Sequence, residues 1–337
     1  MATRLKDIAE DLGLSVITVS KVLRNHPDIA DNTRRRVLKR MQELNYQPNT
    51  AARSLVTGRT MTLGLVVPDL LHPFFAVIAN AITTEIRKHG YSLLIASSDE
   101  EPELEVQEIR QMLARRVDVI LVASAQWSLE SFRQIEEQKV PYVLLDRRLS
   151  GLEANYIGVD DEAVGVLATE HLIEQGCRFV AHIRGPEVST ALGRLEGYRR
   201  TLASYNLTPL PGHIVTLGAS GDHRGEGGGY QAAQRLLAVQ PRPDGIFCFN
   251  DPSALGAMRA ILDAGLRIPE DIAVIGCGNL PSSDFLRVPL SSVDQGSESI
   301  GKQAAELALQ LAQTKLPLPP RAELMLPRLV VRASSRR

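Results

Sequence analysis

A chain of 337 residues with 44% hydrophobic side chains is long enough for two or three compact units with real cores and is not a disordered chain. Its longest apolar runs, such as Ile120 to Ala123 and Tyr142 to Leu145, fall far short of a bilayer span, and acids arrive in Met1-Ala2-Thr3-Arg4-Leu5-Lys6-Asp7-Ile8 before an apolar signal region could form, so a soluble, cytoplasmic protein is expected. The net charge of −1 hides an asymmetry: residues 1–60 hold eleven Lys or Arg against six Asp or Glu, and this basic head on an acidic body points to a polyanion partner for the head alone.

From Leu5 to Leu12 the apolar residues Leu5, Ile8, Ala9 and Leu12 recur at helical spacing, followed by Gly13 and then Ser15, a good N-cap for a second helix. That second helix, Val16 to Leu23, keeps Val19, Val22 and Leu23 on one face and turns Val16, Ile17, Thr18, Ser20 and Lys21 outward. A small Ala9 at the crossing, Gly13 in the turn and Val19 in the wedge are the constraints of a helix-turn-helix. Helix hairpins with a glycine turn also occur in bundles that never touch DNA, but exposed Val16 and Ile17 suit thymine methyl groups in a major groove better than a solvated face. A third helix is expected from about Asp31 to Asn45, with Val37, Met41 and Leu44 inward and Arg34, Arg35, Arg36, Lys39 and Arg40 mostly outward, where they face phosphates or only solvent. Between Pro48 and Gly58, Asn49 caps a helix of about two turns, too short to hold itself together in water without a partner.

Beyond residue 61, β-rich runs alternate with helical stretches, which predicts parallel, doubly wound sheets. Strands are expected at 63–67, 92–96, 119–123 and 140–145, then at 179–183, 214–217, 245–249 and 272–275, so that two sheets make two lobes with a cleft where strand C-termini converge.

Enzyme signatures fail. Gly296 to Gln303 fits GxxxxGK, but Gln303 stands where a magnesium-binding hydroxyl belongs, so a helix start is the better reading. Gly225, Gly227, Gly228 and Gly229 miss a dinucleotide fingerprint at Tyr230 and read as a loop. Cys177, Cys248 and Cys277 make no CxxC pair and the histidines are scattered, so neither a disulfide framework nor a zinc site is expected, and no metal or cofactor.

These residues closely resemble the lactose-repressor (LacI/GalR) family of bacterial regulators. The resemblance runs through Lys6-Asp7-Ile8-Ala9, Ile17 to Asn25, Leu44-Asn45-Tyr46-Gln47-Pro48-Asn49 and Ala52-Arg53-Ser54-Leu55. It continues through His72-Pro73-Phe74-Phe75, Asp146-Arg147, Gly185-Pro186, Asn250-Asp251 and Ile268-Pro269-Glu270-Asp271. It implies an all-α helix-turn-helix head (1–47), a hinge helix and linker (48–60) and an α/β core like periplasmic sugar-binding proteins (61–337). The core's lobes are expected at 61–160 plus 292–323 and at 161–291 plus 324–337.

By this resemblance the chain is a repressor rather than an enzyme or a transport receptor. It acts as a homodimer on a pseudopalindromic operator under control of a small-molecule effector, a sugar or sugar derivative. A dimer rather than a tetramer is expected because the sequence lacks a leucine-heptad tail. The implied DNA contacts are Ser15, Val16, Ile17, Thr18, Ser20, Lys21, Asn25, Asn49 and Arg53, with Leu55 wedging into the minor groove. The implied effector contacts are Phe74, Phe75, Ser124, Arg147, Arg194 in the loop after Gly185-Pro186, Asp251 and Asn279. For these, core packing, pairing of Arg147 with Asp146 or Asp160, and loop capping by Ser124 stay open as alternatives. Arg4 stands where the family has a capping Thr, and Cys277-Gly278-Asn279 replaces a Tyr-Asp-Asn run. With that aspartate gone and two arginines retained, an anionic effector such as a sugar acid is expected.

Overall fold

The computed structural model describes residues 4–23, 26–46, 58–125, 129–217, 225–314 and 319–337. The chain forms two compact units, Met1–Thr60 and Met61–Arg337.

In the first unit, α1 (Leu5–Leu12), α2 (Val16–Leu23) and α3 (Asp31–Glu43) enclose a small core of Ile8, Ala9, Val19, Val22, Val37 and Met41. Gly13 ends α1 in the left-handed region at φ 64°, and the next amide, Leu14 N–H, donates back to Ala9 at 2.9 Å. Ser15 then starts α2, its Oγ accepting the Thr18 N–H at 3.0 Å. At the start of α1 the Arg4 N–H donates to the Asp7 carboxylate at 2.7 Å, so Asp7 supplies the part of a capping pair that needs no hydroxyl at residue 4. Three arginines expected outward on α3 bind protein instead. Arg34 donates to the His26 carbonyl at 2.8 Å, Arg36 reaches the Leu12 carbonyl, and Arg40 pairs with Asp11 and Glu43, tying α3 back to α1.

The second unit holds two six-stranded sheets. In chain order the elements are β1 (Thr62–Val67), α4 (Pro73–Arg87), β2 (Ser92–Ser97), α5 (Pro102–Ala114), β3 (Val119–Val122), α6 (Glu130–Glu137), β4 (Tyr142–Leu145), β5 (Asn155–Val159) and α7 (Asp161–Glu174). There follow β6 (Val180–Arg184), α8 (Ser189–Ser204), β7 (Ile214–Thr216), α9 (Glu226–Leu237), β8 (Gly245–Cys248), α10 (Asp251–Asp263) and β9 (Ala273–Cys277). A 3-10 turn (Pro281–Phe285), β10 (Ser291–Asp294), α11 (Ser297–Gln313), β11 (Ala322–Met325) and β12 (Arg328–Val330) complete it.

The first sheet runs β11-β5-β4-β3-β1-β2 and the second β12-β10-β9-β8-β6-β7, every pairing parallel except β10 with β12. The central strands β1, β3, β4, β8 and β9 are continuous, mostly apolar runs because both faces are covered. Leu63, Leu65, Leu121 and Val143 join α4 and α11 on one side, while Val66, Ile120, Val122 and Leu144 join α5 and α6 on the other.

Three findings differ from the sequence reading. The chain crosses between lobes later than expected: β10 is already part of the second sheet and β11 is paired with β5 in the first, so the last two crossings follow Asp294 and Met325 rather than residues 291 and 323. The glycines at 227–229 are helical, not a loop: Gly229 lies in α9, where an added Cβ would stand 2.1 Å from the Ser253 carbonyl oxygen of α10. Glycine serves there to let two helices touch backbone to backbone. Arg194 lies within α8, on a regular turn rather than a loop. Gly296 is the N-cap of α11.

Candidate functional site

The face of α2 that leaves the small core presents Val16, 42% exposed, and Ile17, 68% exposed, at the helix N-terminus. Ser15 is exposed beside them, and Thr18, Ser20 and Lys21 are half-buried. Lys21 Nζ is held by the Asp28 carboxylate at 2.7 Å, and His26 also contacts Asp28. A helix N-terminus with two solvent-facing aliphatic residues and short hydroxyl side chains has the dimensions and chemistry of a major-groove reader. Asn25, Asn49, Arg53 and Leu55 lie outside the described residues.

In the core, a cleft of about 540 Å³ opens where the strand C-termini of both sheets converge. Its apolar wall is Phe74 and Phe75 from the first turn of α4, in T-shaped contact at 5.2 Å, together with Phe249 just beyond β8. The two phenylalanines are also core members, only 5% and 6% exposed, so packing and cleft lining are one role. His72 caps α4, its Nδ1 accepting the Phe74 N–H at 3.3 Å, and burial holds its pKa down at about 4, so the imidazole is neutral.

Two arginines face the cleft, each already bound to a carboxylate. Arg147 grips both oxygens of Glu100 at 2.7 Å and donates to the Ser124 carbonyl at 3.2 Å. Arg194 donates to Asp161 at 2.9 Å and to the Phe249 carbonyl at 2.6 Å, its guanidinium 4.7 Å above the Phe249 ring. Burial pushes the Asp161 carboxyl up, to about 7, against the pull of Arg194. Asp146, also on the cleft floor, is raised by burial against the pull of Arg194 and Arg147.

Six acidic residues, Asp69, Asp99, Glu100, Glu101, Asp146 and Glu187, line the cleft against two arginines. The premise behind an anionic effector is not met: the loss of one aspartate at residue 278 does not leave a positive site, because each guanidinium has an internal counter-ion. Asp69 Oδ2 and Asp146 Oδ1 are closed off from solvent with no hydrogen-bond partner among the described residues, while the exposed carboxylates of the lining, Asp99, Glu100, Glu101 and Glu187, offer acceptors to a ligand's donors.

Of the expected effector contacts, Phe74, Phe75, Arg147 and Arg194 line the cleft. Ser124, Asp251 and Asn279 do not, and each has structural partners. Ser124 Oγ donates to Glu105 at 2.8 Å. Asp251 is fully buried, accepting from the Leu280 N–H at 2.8 Å and from Ser292 Oγ at 2.6 Å. Asn279 donates to Asp294 at 3.2 Å and accepts from Arg332 at 2.8 Å. The alternative of Arg147 pairing with Asp146 or Asp160 gives way to Glu100, a residue with no sequence signal, since the contact spans 47 positions. His72, Asp146 and Asn250 were legible, each beside a residue already singled out and directly after a strand or before a helix. Among the described residues no group of three or more His, Cys, Asp or Glu is placed to hold a metal ion. No helix of the described residues is long and apolar enough to cross a membrane.

A helix-turn-helix unit joined to a two-sheet α/β core with a cleft between its lobes defines a ligand-responsive DNA-binding regulator, and comparison with known proteins agrees. Residues 4–49 match the bacterial regulatory proteins of the lacI family, and residues 169–335 match the periplasmic binding protein-like domain. The HTH-type transcriptional repressor PurR of Aliivibrio salmonicida is 32% identical over 317 residues, 94% of this chain and 93% of its own length. The ribose operon repressor of Halalkalibacterium halodurans is 32% identical over 315 residues, 93% of this chain and 91% of its own. Among solved structures, the lac repressor dimer bound to operator and the anti-inducer ONPF superposes with a TM-score of 0.86 at 27% identity, covering 99% of each chain. The regulator CelR in complex with cellobiose gives 0.74 at 27% identity, covering 98% of this chain and 99% of that one. The chain belongs to the LacI family of bacterial transcriptional regulators. It is a DNA-binding repressor controlled by a small molecule.

Proposed function

We propose that two copies of this chain pair and present their heads to a pseudopalindromic operator in the cytoplasm, with a sugar or sugar derivative in the core cleft setting operator affinity. The chain acts by binding rather than by catalysis. The observation that carries the effector class is a cleft lined by six carboxylates beside the rings of Phe74, Phe75 and Phe249, with both of its arginines already paired inside the protein. Ligands with hydroxyl donors and an apolar face satisfy both halves of that surface, as sugars do. The acceptor-rich lining is what selects donors.

Ser15, Val16, Ile17, Thr18, Ser20 and Lys21 read or position the operator from α2. Asn25, Asn49 and Arg53 contribute further contacts, and Leu55 acts from the hinge by unstacking a central base step. The test combines operator selection from a randomised duplex pool with a thermal-shift screen of neutral sugars on the full chain. Replacing Val16 and Ile17 by serine is expected to change the selected operator and to cost about 1 to 3 kcal/mol per lost base contact, with the melting temperature unchanged because both side chains face solvent. A selected sequence that does not change would remove these residues from base reading. A full panel of sugars without stabilisation would remove the sugar reading.

A further inference from the structure

The turn after β2 brings Glu100 onto Arg147 by an unusual backbone. Asp99 and Glu100 both adopt left-handed φ, 49° and 60°, a region that side chains other than glycine seldom enter. The turn is fixed at several points: Ser98 N–H and Glu100 N–H donate to the carbonyls of Val67 and Pro68 at 2.9 and 3.0 Å, and Ser97 Oγ donates to Asp99 at 2.6 Å. Glu100 is thus presented from the end of β2, beside β1, to an arginine that follows β4 and also leans on the end of β3. The pairing is two-pronged at 2.7 Å for each oxygen, with the Arg147 side chain 8% exposed and the Glu100 side chain 41% exposed toward the cleft it lines.

A parallel fork of this kind is how arginine holds the carboxylate of a bound ligand. Here the protein supplies the carboxylate itself. A ligand acid arriving at Arg147 must displace Glu100 from both hydrogen bonds and leave it charged beside Asp99, Glu101 and Asp146. The alternative is to sit next to Glu100 as a second anion, where like charges repel. A neutral hydroxyl meets neither obstacle, because the carboxylate oxygens accept a further donor without leaving the guanidinium.

Accepting the cleft as the effector site, we propose that Glu100 is a specificity-determining residue: an internal counter-ion that occupies the Arg147 fork, so that the cleft admits neutral hydroxyl-bearing ligands and rejects their carboxylate counterparts. The conspicuous arginine is a decoy for anion recognition in this chain, and selectivity is set by a residue of the neighbouring turn.

The test uses the full chain and matched probes, D-glucose with D-glucuronate and D-galactose with D-galacturonate, followed by calorimetry and thermal shift. Wild type is expected to respond only to a neutral member. Glu100→Gln, which removes the charge and keeps the shape, is expected to shift the ratio of acidic to neutral affinity toward the acidic member by on the order of tenfold or more. A purely structural role for Glu100 would weaken both members together. An acid that binds wild type as tightly as it binds Glu100→Gln, or no acidic response in Glu100→Gln, overturns the proposal. Asp146→Asn separates the two readings. If wild type binds a neutral sugar that Asp146→Asn loses while Glu100→Gln admits no acid, only the role of Glu100 falls. If no probe binds any form, the sugar-effector reading falls with it.

Discussion

Asn250 Nδ2 lies 3.1 Å from His72 Nε2, so the N-cap of α10 in one lobe touches the N-cap of α4 in the other. The Asn250 amide orientation is set by its oxygen, which accepts the Ser253 N–H at 2.9 Å, and its NH2 group must therefore point at the imidazole. His72 Nδ1 already accepts the Phe74 N–H. A neutral imidazole carries one proton and cannot accept at both nitrogens, so the cap and the bridge between lobes compete for the same ring.

His72→Ala is accordingly expected to cost only about 1 kcal/mol, the value of one N-cap, and about 2 °C in melting temperature. His72→Asn, which restores an N-cap acceptor, should recover most of that loss. The bridge itself is read by ligand kinetics: both variants should exchange a cleft ligand faster than wild type in stopped-flow or surface-based measurements. Unchanged exchange rates would assign His72 to capping alone.

Asp28 restrains Lys21, the one cation among the proposed operator contacts of α2 within the described residues, through a 2.7 Å ion pair. Both side chains are partly exposed, so the pair adds less than about 1 kcal/mol to stability. Asp28→Asn releases the ammonium group. The expected result is tighter non-specific DNA binding with the log-log salt slope steeper by about one per head, at little cost in melting temperature. A slope equal to wild type would mean that Lys21 leaves Asp28 whenever DNA is bound.

The fold was largely legible, and where it was not the reasons are physical. Strands such as β1 and β3 are apolar runs bounded by helical patterns, and parallel sheets bury both faces of such runs. β10 opens on two serines, and β11 and β12 are four and three residues long and only partly buried, so periodicity carries little signal for them, and the lobe crossings that depend on them were misplaced by two or three positions. On α2, exposure alone marked Val16 and Ile17, because the face is local to one helix. The cleft is not local. Arg147 and Arg194 were found as types, but their partners Glu100 and Asp161 stand 47 and 33 positions away, and the sign of the site's charge depended on those partners.

Residue 278 shows the same dependence. Gly278 has φ 132°, and an added Cβ would lie 3.5 Å from Asp251 Oδ2, the carboxylate that holds Leu280 N–H and Ser292. An aspartate here would combine backbone strain with a second negative charge beside a fully buried one. Gly278→Asp is expected to lose about 2 kcal/mol or more, lowering the melting temperature by roughly 5 °C, without creating a ligand contact. Gly278→Ala separates strain from charge, since it pays only the first. A Gly278→Asp chain as stable as wild type would show that the 277–280 turn re-forms around the new side chain.

His182 gives the core an acid sensitivity that one substitution should remove. The imidazole is fully buried in β6, stacked between Phe247 at 4.6 Å and Tyr198 at 5.3 Å, with Nδ1 3.0 Å from the Phe247 carbonyl. Nε2 has no partner among the described residues. The carbonyl fixes the proton on Nδ1, so a second proton would have to enter on Nε2 with nothing to receive it, and burial lowers the pKa to about 3. An unfolded chain takes up that proton near pH 6.5, so between pH 6.5 and about 3 the unfolded state binds more protons than the folded one. Stability is therefore intact above pH 6.5 and falls as the pH drops, at a limiting slope of ~1.4 kcal/mol per pH unit from this residue. His182→Phe keeps the stacking, gives up one hydrogen bond worth about 1 kcal/mol, and removes the titration. At pH 7.5 it should melt close to or slightly below wild type, and the order should reverse as the pH approaches 4.5. Circular-dichroism melts of both chains across that range measure the difference, and a gap that stays constant with pH would show that His182 takes no part in acid unfolding.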